Sequence, residues 1–132
     1  MHLIPAIQKD EALIAAMDAC RSDDDGFRLW WLGQSGFLLQ WKQQRLLIDP
    51  YLSDSLTKKY LATNKPHTRM SELVVRPQLL SNISIVTSSH NHTDHLDAET
   101  LIPVLLNNPG IAFIIPEANR AFVAERVQCD PG

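Results

Sequence analysis

The chain has 132 residues, 45% of them hydrophobic and 20% charged, which suits a single domain able to bury a core. Its formal net charge of −3 argues against a nucleic-acid partner, because such partners are normally met by a basic surface. No apolar run reaches a membrane span and no basic-then-apolar signal peptide opens the chain, so a cytoplasmic protein with no membrane contact is expected. In chain order, His2 reads as an exposed terminal residue. Gln8 to Cys20 then places Leu13, Ile14 and Met17 at helical spacing with alanine between them, which predicts a short amphipathic helix. Ser22-Asp23-Asp24-Asp25-Gly26 is a polar break that detaches this helix, giving an N-terminal helix and linker over 1–26 and a main domain over 27–132. Its acids have no accompanying histidine and read as a solvated turn. Cys20 and Cys129 are too few and too far apart for a disulfide framework and read as ordinary thiols.

Phe27–Leu32, Gly36–Trp41 and Arg45–Ile48 predict three consecutive strands, with turns at Gly33–Gly36 and at Lys42-Gln43-Gln44. Trp30, Trp31 and Trp41 read as core and sheet-face packing rather than a stacking platform. From Pro50 to Pro77 the pattern weakens into a long loop, and such loops are usually functional or mobile. Ile83–Ser88 predicts a fourth strand, and Asp97 is a suitable N-cap for a helix reaching about Asn107. Pro103 should bend that helix or shift its start, because it has no N–H to donate. Ile111–Ile115 predicts a fifth strand, and Pro116 introduces a helix from Glu117 to about Arg126. Hairpin strands followed by strand–helix–strand–helix describe an α/β fold, a mixed β-sheet with helices on one face.

The chemistry-bearing stretch is His90-Asn91-His92-Thr93-Asp94-His95, the pattern H-x-H-x-D-H after an apolar strand. Imidazole nitrogens and carboxylate oxygens are ligands that zinc, iron and manganese accept. The i, i+2 spacing lets an extended segment aim His90 and His92 the same way, so these two are the candidate ligands of a first metal. Asp94 and His95 follow closely enough to serve a second metal or a metal-bound water. A polar surface loop at the start of a helix is the bland alternative.

With its flank Ile83–Ser89, and with Leu29-Trp30-Trp31-Leu32-Gly33-Gln34-Ser35-Gly36 followed by Ile48-Asp49-Pro50-Tyr51-Leu52, the motif resembles the metallo-β-lactamase superfamily. The Trp-Trp-Leu-Gly segment is similar to the branch that contains ascorbate-6-phosphate lactonase. The resemblance implies an αβ/βα sandwich of two similar halves, with 27–132 as the N-terminal half. It implies one or two divalent ions, zinc or manganese, held by His90, His92, Asp94 and His95. Asp94 would be the catalytic carboxylate that orients the attacking water or takes its proton. Asp49 would occupy the position that accepts a hydrogen bond from a ligand histidine, although a turn-starting aspartate before Pro50 accounts for it equally well. His67 and Arg69 fall where relatives recognise substrate, and Arg69 could hold a phosphate through two donors, with a pair of exposed polar residues as the plainer reading.

The implied activity is that of a metal-dependent hydrolase, a metal-bound hydroxide attacking a lactone, ester or phosphoester of a small molecule, with phosphorylated substrates among the options. Relatives take further histidine and aspartate ligands from their second half, and no histidine follows His95 here. The chain by itself is therefore expected to be incomplete, and a non-catalytic metal-binding or scaffold fragment is the alternative. The sheet face built from Leu29, Trp31, Phe37, Leu39 and Leu47 would need covering by that second half or by another copy, so a homo-oligomer is expected.

Overall fold

A computed structural model describes residues 2–20 and 25–132. Most of the acidic break, Ser22 to Asp24, lies outside the described residues, and with it the solvated turn expected there.

Five strands form one sheet in sequence order: β1 Phe27–Trp31, β2 Phe37–Trp41, β3 Gln44–Ile48, β4 Ile85–Thr87 and β5 Ala112–Ile114. β1, β2 and β3 pair antiparallel, while β3–β4 and β4–β5 pair parallel. The β2–β3 turn is tighter than expected, because Gln44 already pairs with Trp41 and only Lys42 and Gln43 make the turn. Lys42 adopts a left-handed φ of 53° there, as two-residue hairpin turns require.

Residues directly opposite one another in a sheet share a face. One such row runs Trp30, Leu38, Leu47, Val86, Phe113. Helices α1 (Asp10–Ala19), α3 (Ala98–Asn107) and α4 (Arg120–Val127) cover this row, contributing Leu13, Met17, Leu101, Val104, Val123 and Val127 to one core with Leu38, Leu47 and Val86. The fold is thus a mixed five-stranded sheet with its helices on one face. Leu47 belongs to that covered face and is fully buried, contrary to its expected place with Leu29 and Trp31. The opposite row carries Phe27, Leu29, Trp31, Phe37, Trp41 and Ile114, all exposed, with Trp31 at 62%. Of the tryptophans only Trp30 packs against the core; Trp31 and Trp41 stand on the open face.

Helix α1 is not detached. Leu13 and Met17, one turn apart, point into the core, and Asp10 and Glu11 suit the positive end of the helix dipole. The Gln40 side-chain amide donates to the Met17 carbonyl at 3.2 Å, and the fully buried Arg45 donates to Asp18 at 2.6 Å, to Gln40 and to the Ser81 carbonyl. The stretch from Pro50 to Pro77, expected as a loop, contains a short helix α2 (Ser55–Tyr60) and is anchored at its far end by backbone bonds between Ile4 and the flanks of Ser71. Its Tyr51, Leu52, Leu56 and Val75 are buried, so it is packed rather than loose. Asp97 does precede α3, but its carboxylate takes the Ser53 and Thr100 hydroxyls rather than a backbone N–H. Pro103 neither ends α3 nor moves its start; the helix runs through it to Asn107. A 3-10 turn at Glu117–Asn119 leads from Pro116 into α4.

Candidate metal centre

The site forms where β3 and β4, adjacent and parallel, release their chains at their carboxyl ends, the edge at which α/β sheets place their ligands. Ile48 pairs with Thr87, so Asp49 and the Ser88-Ser89 segment leave the sheet side by side. Asp49 turns away with a φ of +41°, a conformation aspartate tolerates better than most residues. The β1–β2 turn makes room for this: Gly36 has a φ of +96°, and a Cβ placed there would lie 2.8 Å from the Asp49 carbonyl oxygen. The same turn reaches the motif loop through Ser35, whose hydroxyl donates to the Asp94 carbonyl at 2.8 Å.

Asp49 is 7% exposed, and both of its carboxylate oxygens are heavily engaged. It accepts from the Thr87 hydroxyl at 2.6 Å, from the Ser89 backbone N–H at 3.0 and 3.2 Å, from the Ser89 hydroxyl, and lies 2.8 Å from His95 Nδ1. Burial pushes its pKa up, but the side-chain bonds from Ser89, Thr87 and His95 and the Ser89 backbone bond outweigh this and hold it below the ordinary carboxylate value.

The motif loop curls into a turn closed by backbone bonds from His95 and Leu96 to the His92 carbonyl, at 2.9 and 2.8 Å. That curl gathers the imidazoles: ring centroids lie 4.1 Å apart for His90 and His95 and 4.7 Å apart for His90 and His92. His95 Nε2 faces Asp94 at 3.6 Å. His92 is exposed, while His90, Asp94 and His95 are half-buried, so the cluster opens outward at one side.

One candidate ligand atom from each of Asp49, His90 and His95 lies within 4.8 Å of the others. Imidazole nitrogens and a carboxylate oxygen suit a divalent ion. Asp49 completes that triad by distance, yet its oxygens already serve five hydrogen bonds. That bonding suits it to support the histidines; of the expected ligands His90, His92, Asp94 and His95, the grouping within ligand distance takes in His90 and His95, not His92 or Asp94.

His67 and Arg69 lie elsewhere in use. The Arg69 side chain is 9% exposed, donates to Asp54 at 2.8 Å and to the Ser53 carbonyl, and stacks over the Tyr51 ring, so the donors expected to hold phosphate are turned inward. His67 Nδ1 contacts the Thr57 hydroxyl at 3.3 Å and its ring meets Tyr51 edge-on. Both fasten the segment after β3. Sequence reading missed Ser35, Gly36, Thr87 and Ser89; the hydroxyl run Thr87-Ser88-Ser89 just before the motif was the available signal.

The mixed sheet thus carries a histidine–aspartate cluster at its carboxyl edge, an arrangement able to take a divalent ion. Residues 28–128 match the beta-lactamase superfamily domain, and the chain belongs to that superfamily. It is similar to the mitochondrial N-acyl-phosphatidylethanolamine-hydrolyzing phospholipase D of Saccharomyces cerevisiae, 38% identical over 71 residues, which cover 54% of this chain and 14% of the yeast protein. It is also similar to an uncharacterized protein of Mycobacterium bovis, 28% identical over 104 residues, 78% of this chain and 27% of that protein; one from Mycobacterium tuberculosis matches to the same extent. The chain thus spans about a seventh and about a quarter of the length of these curated relatives. Among the described residues, no helix is long and apolar enough to cross a membrane.

Proposed function

We propose that this chain carries the H-x-H-x-D-H wall of a metal-dependent hydrolase of the lactonase-like branch, acting on a small-molecule lactone, ester or phosphoester in the cytoplasm. The observation that carries the reading is the convergence of three motif imidazoles beside Asp94, with buried Asp49 against His95. The yeast relative is by its name a phospholipase, which favours phosphoesters within this range. His90, His92 and His95 would hold zinc or manganese, and Asp94 would share it or stand beside it. A divalent cation there supplies Lewis-acid polarisation of the scissile group and makes bound water more acidic. The Asp94 carboxylate, held through its backbone by Ser35, orients a water and accepts its proton. Asp49 keeps His95 turned toward Asp94. The outward opening of the cluster at His92 leaves room for substrate.

The test uses the protein as made in its source cell alongside the 132-residue chain, each assayed for metal content and for hydrolysis of a simple lactone, a carboxylate ester and a phosphodiester. Bound zinc or manganese, with turnover abolished by chelator and by His92→Ala in the cellular protein, is the expected result. Metal without turnover in the cellular protein would overturn the hydrolase reading in favour of a metal-binding scaffold; absence of metal would overturn both.

A further inference from the structure

Ser89 stands between Asp49 and His90. Its hydroxyl is hydrogen-bonded to Asp49 Oδ2 and lies 2.9 Å from His90 Nδ1, and its backbone N–H also donates to Asp49, so the residue is held at both ends. A serine hydroxyl has one proton to give and lone pairs to receive. Two groups compete for that proton here, a buried carboxylate and a ring nitrogen. A hydrogen bond to an ionised acceptor is roughly twice as strong as one between neutral groups, so the proton goes to Asp49. The Ser89 oxygen then has only lone pairs to offer His90, and His90 Nδ1 must carry the hydrogen. His95 meets the same constraint directly, because its Nδ1 lies 2.8 Å from an Asp49 oxygen that can only accept.

We propose that Ser89 extends the constraint Asp49 places on His95 to a second imidazole, so that His90, like His95, presents Nε2 as the unprotonated nitrogen. Ser89 is on this account a positioning residue for His90. A free neutral imidazole would be divided between tautomers, and a ring in the wrong one must rearrange before it can act as a ligand through Nε2. The tautomers belong to the metal-free protein; only their consequence for metal affinity rests on the function proposed above.

Long-range 1H–15N correlation spectra of the metal-free, 15N-histidine-labelled chain read the tautomers directly, at about pH 8.5, well above the ordinary imidazole value of ~6.5. The wild-type chain should show His90 and His95 as Nδ1–H forms. Ser89→Ala should release His90 into a tautomer mixture and leave His95 unchanged, Ser89→Thr should restore His90, and Asp49→Asn should release both rings. His67, which contacts Thr57 elsewhere in the fold, should keep its signals in every variant and so reports intact folding. Zinc or manganese affinity should fall about 10-fold in Ser89→Ala, the low end of what losing such support costs. A wild-type His90 in the Nε2–H form, or a Ser89→Ala variant that leaves His90 unmoved or shifts His67 and His95 equally, would overturn the proposal. If the tautomers behave as stated and the protein made in its source cell holds neither metal, the hydrolase reading fails while this inference stands.

Discussion

Replacing Gly36 with alanine tests the link between the β1–β2 turn and the site. The added Cβ would lie 2.8 Å from the Asp49 carbonyl oxygen, 3.0 Å from Pro50 Cα and 3.1 Å from the Ile48 carbonyl oxygen. All three are backbone atoms of the segment that delivers Asp49, and none can swing aside as a side-chain tip would. The glycine's φ of +96° adds a second cost, because an alanine adopts that backbone only under strain. An unfavourable backbone region costs about 1–3 kcal/mol and overpacking typically another 1–3, so Gly36→Ala should lose roughly 2–6 kcal/mol. That is a large share of the ~5–15 kcal/mol that holds most domains folded. Gly33 has a φ of +101° but meets its nearest neighbour, the Ser71 hydroxyl, at 3.5 Å, so its alanine variant should show the strain cost without the clash. Gly110 has nothing within 4 Å among the described residues and no such φ, and Gly110→Ala should stay within ~0.5 kcal/mol of wild type. Urea unfolding of the three variants should rank them Gly110, Gly33, Gly36 in rising cost. A Gly36→Ala midpoint equal to that of Gly110→Ala, at unchanged slope, would refute the claim that this glycine makes room for the Asp49 turn.

Asp49 should also leave a signature in acid. Its folded pKa lies below the ordinary carboxylate value, so the unfolded chain takes up the proton first as pH falls. Its stabilisation is therefore complete above about pH 4 and is lost as pH drops through the folded value. Asp49→Asn, which tolerates the same left-handed backbone, should flatten stability against pH below ~4 in urea titrations, and an unaltered slope would count against the bonding described. The open sheet face carries a different expectation: with Phe27, Leu29, Trp31, Phe37, Trp41 and Ile114 exposed, the 132-residue chain should pair with a second copy. Burying even a few hundred Å² there contributes several kcal/mol at about 25 cal/mol per Å². Sedimentation at micromolar concentration should show a dimer that Trp31→Lys dissociates, and a wild-type monomer would refute the pairing.

Much of this fold was legible because its signals are local. Five apolar stretches and their turns lie where the strands are, and H-x-H-x-D-H announces imidazoles on one short loop. Leu46-Leu47-Ile48 is apolar throughout, so alternation cannot choose between its sides or tell that Leu47 faces away from Leu29 and Trp31. The choice is made by the two-residue turn, which sets Leu38 opposite Leu47. From sequence Arg69 is either a phosphate holder or an exposed polar residue, because nothing in its neighbourhood along the chain announces Tyr51 and Asp54 as partners 18 and 15 residues away. Ser89 carried no signal as a single residue; its role exists only once Ile48 and Thr87 pair and bring Asp49 beside it.

Helix α1 lies wholly before residue 28, where the superfamily match begins, yet it packs Leu13 and Met17 into the same core as Leu38 and Leu47. The boundary drawn by kinship and the boundary drawn by packing therefore differ by about twenty residues. Cropping the chain to the shared region would open a hole above the sheet and strip the buried Arg45 guanidinium of Asp18. A buried charge that loses its partner is far costlier than an exposed one. The superfamily match takes in the sheet and the site, while the packed core takes in a longer piece of chain. Shortened versions meant to keep the site must retain Asp10–Ala19 for mechanical reasons alone.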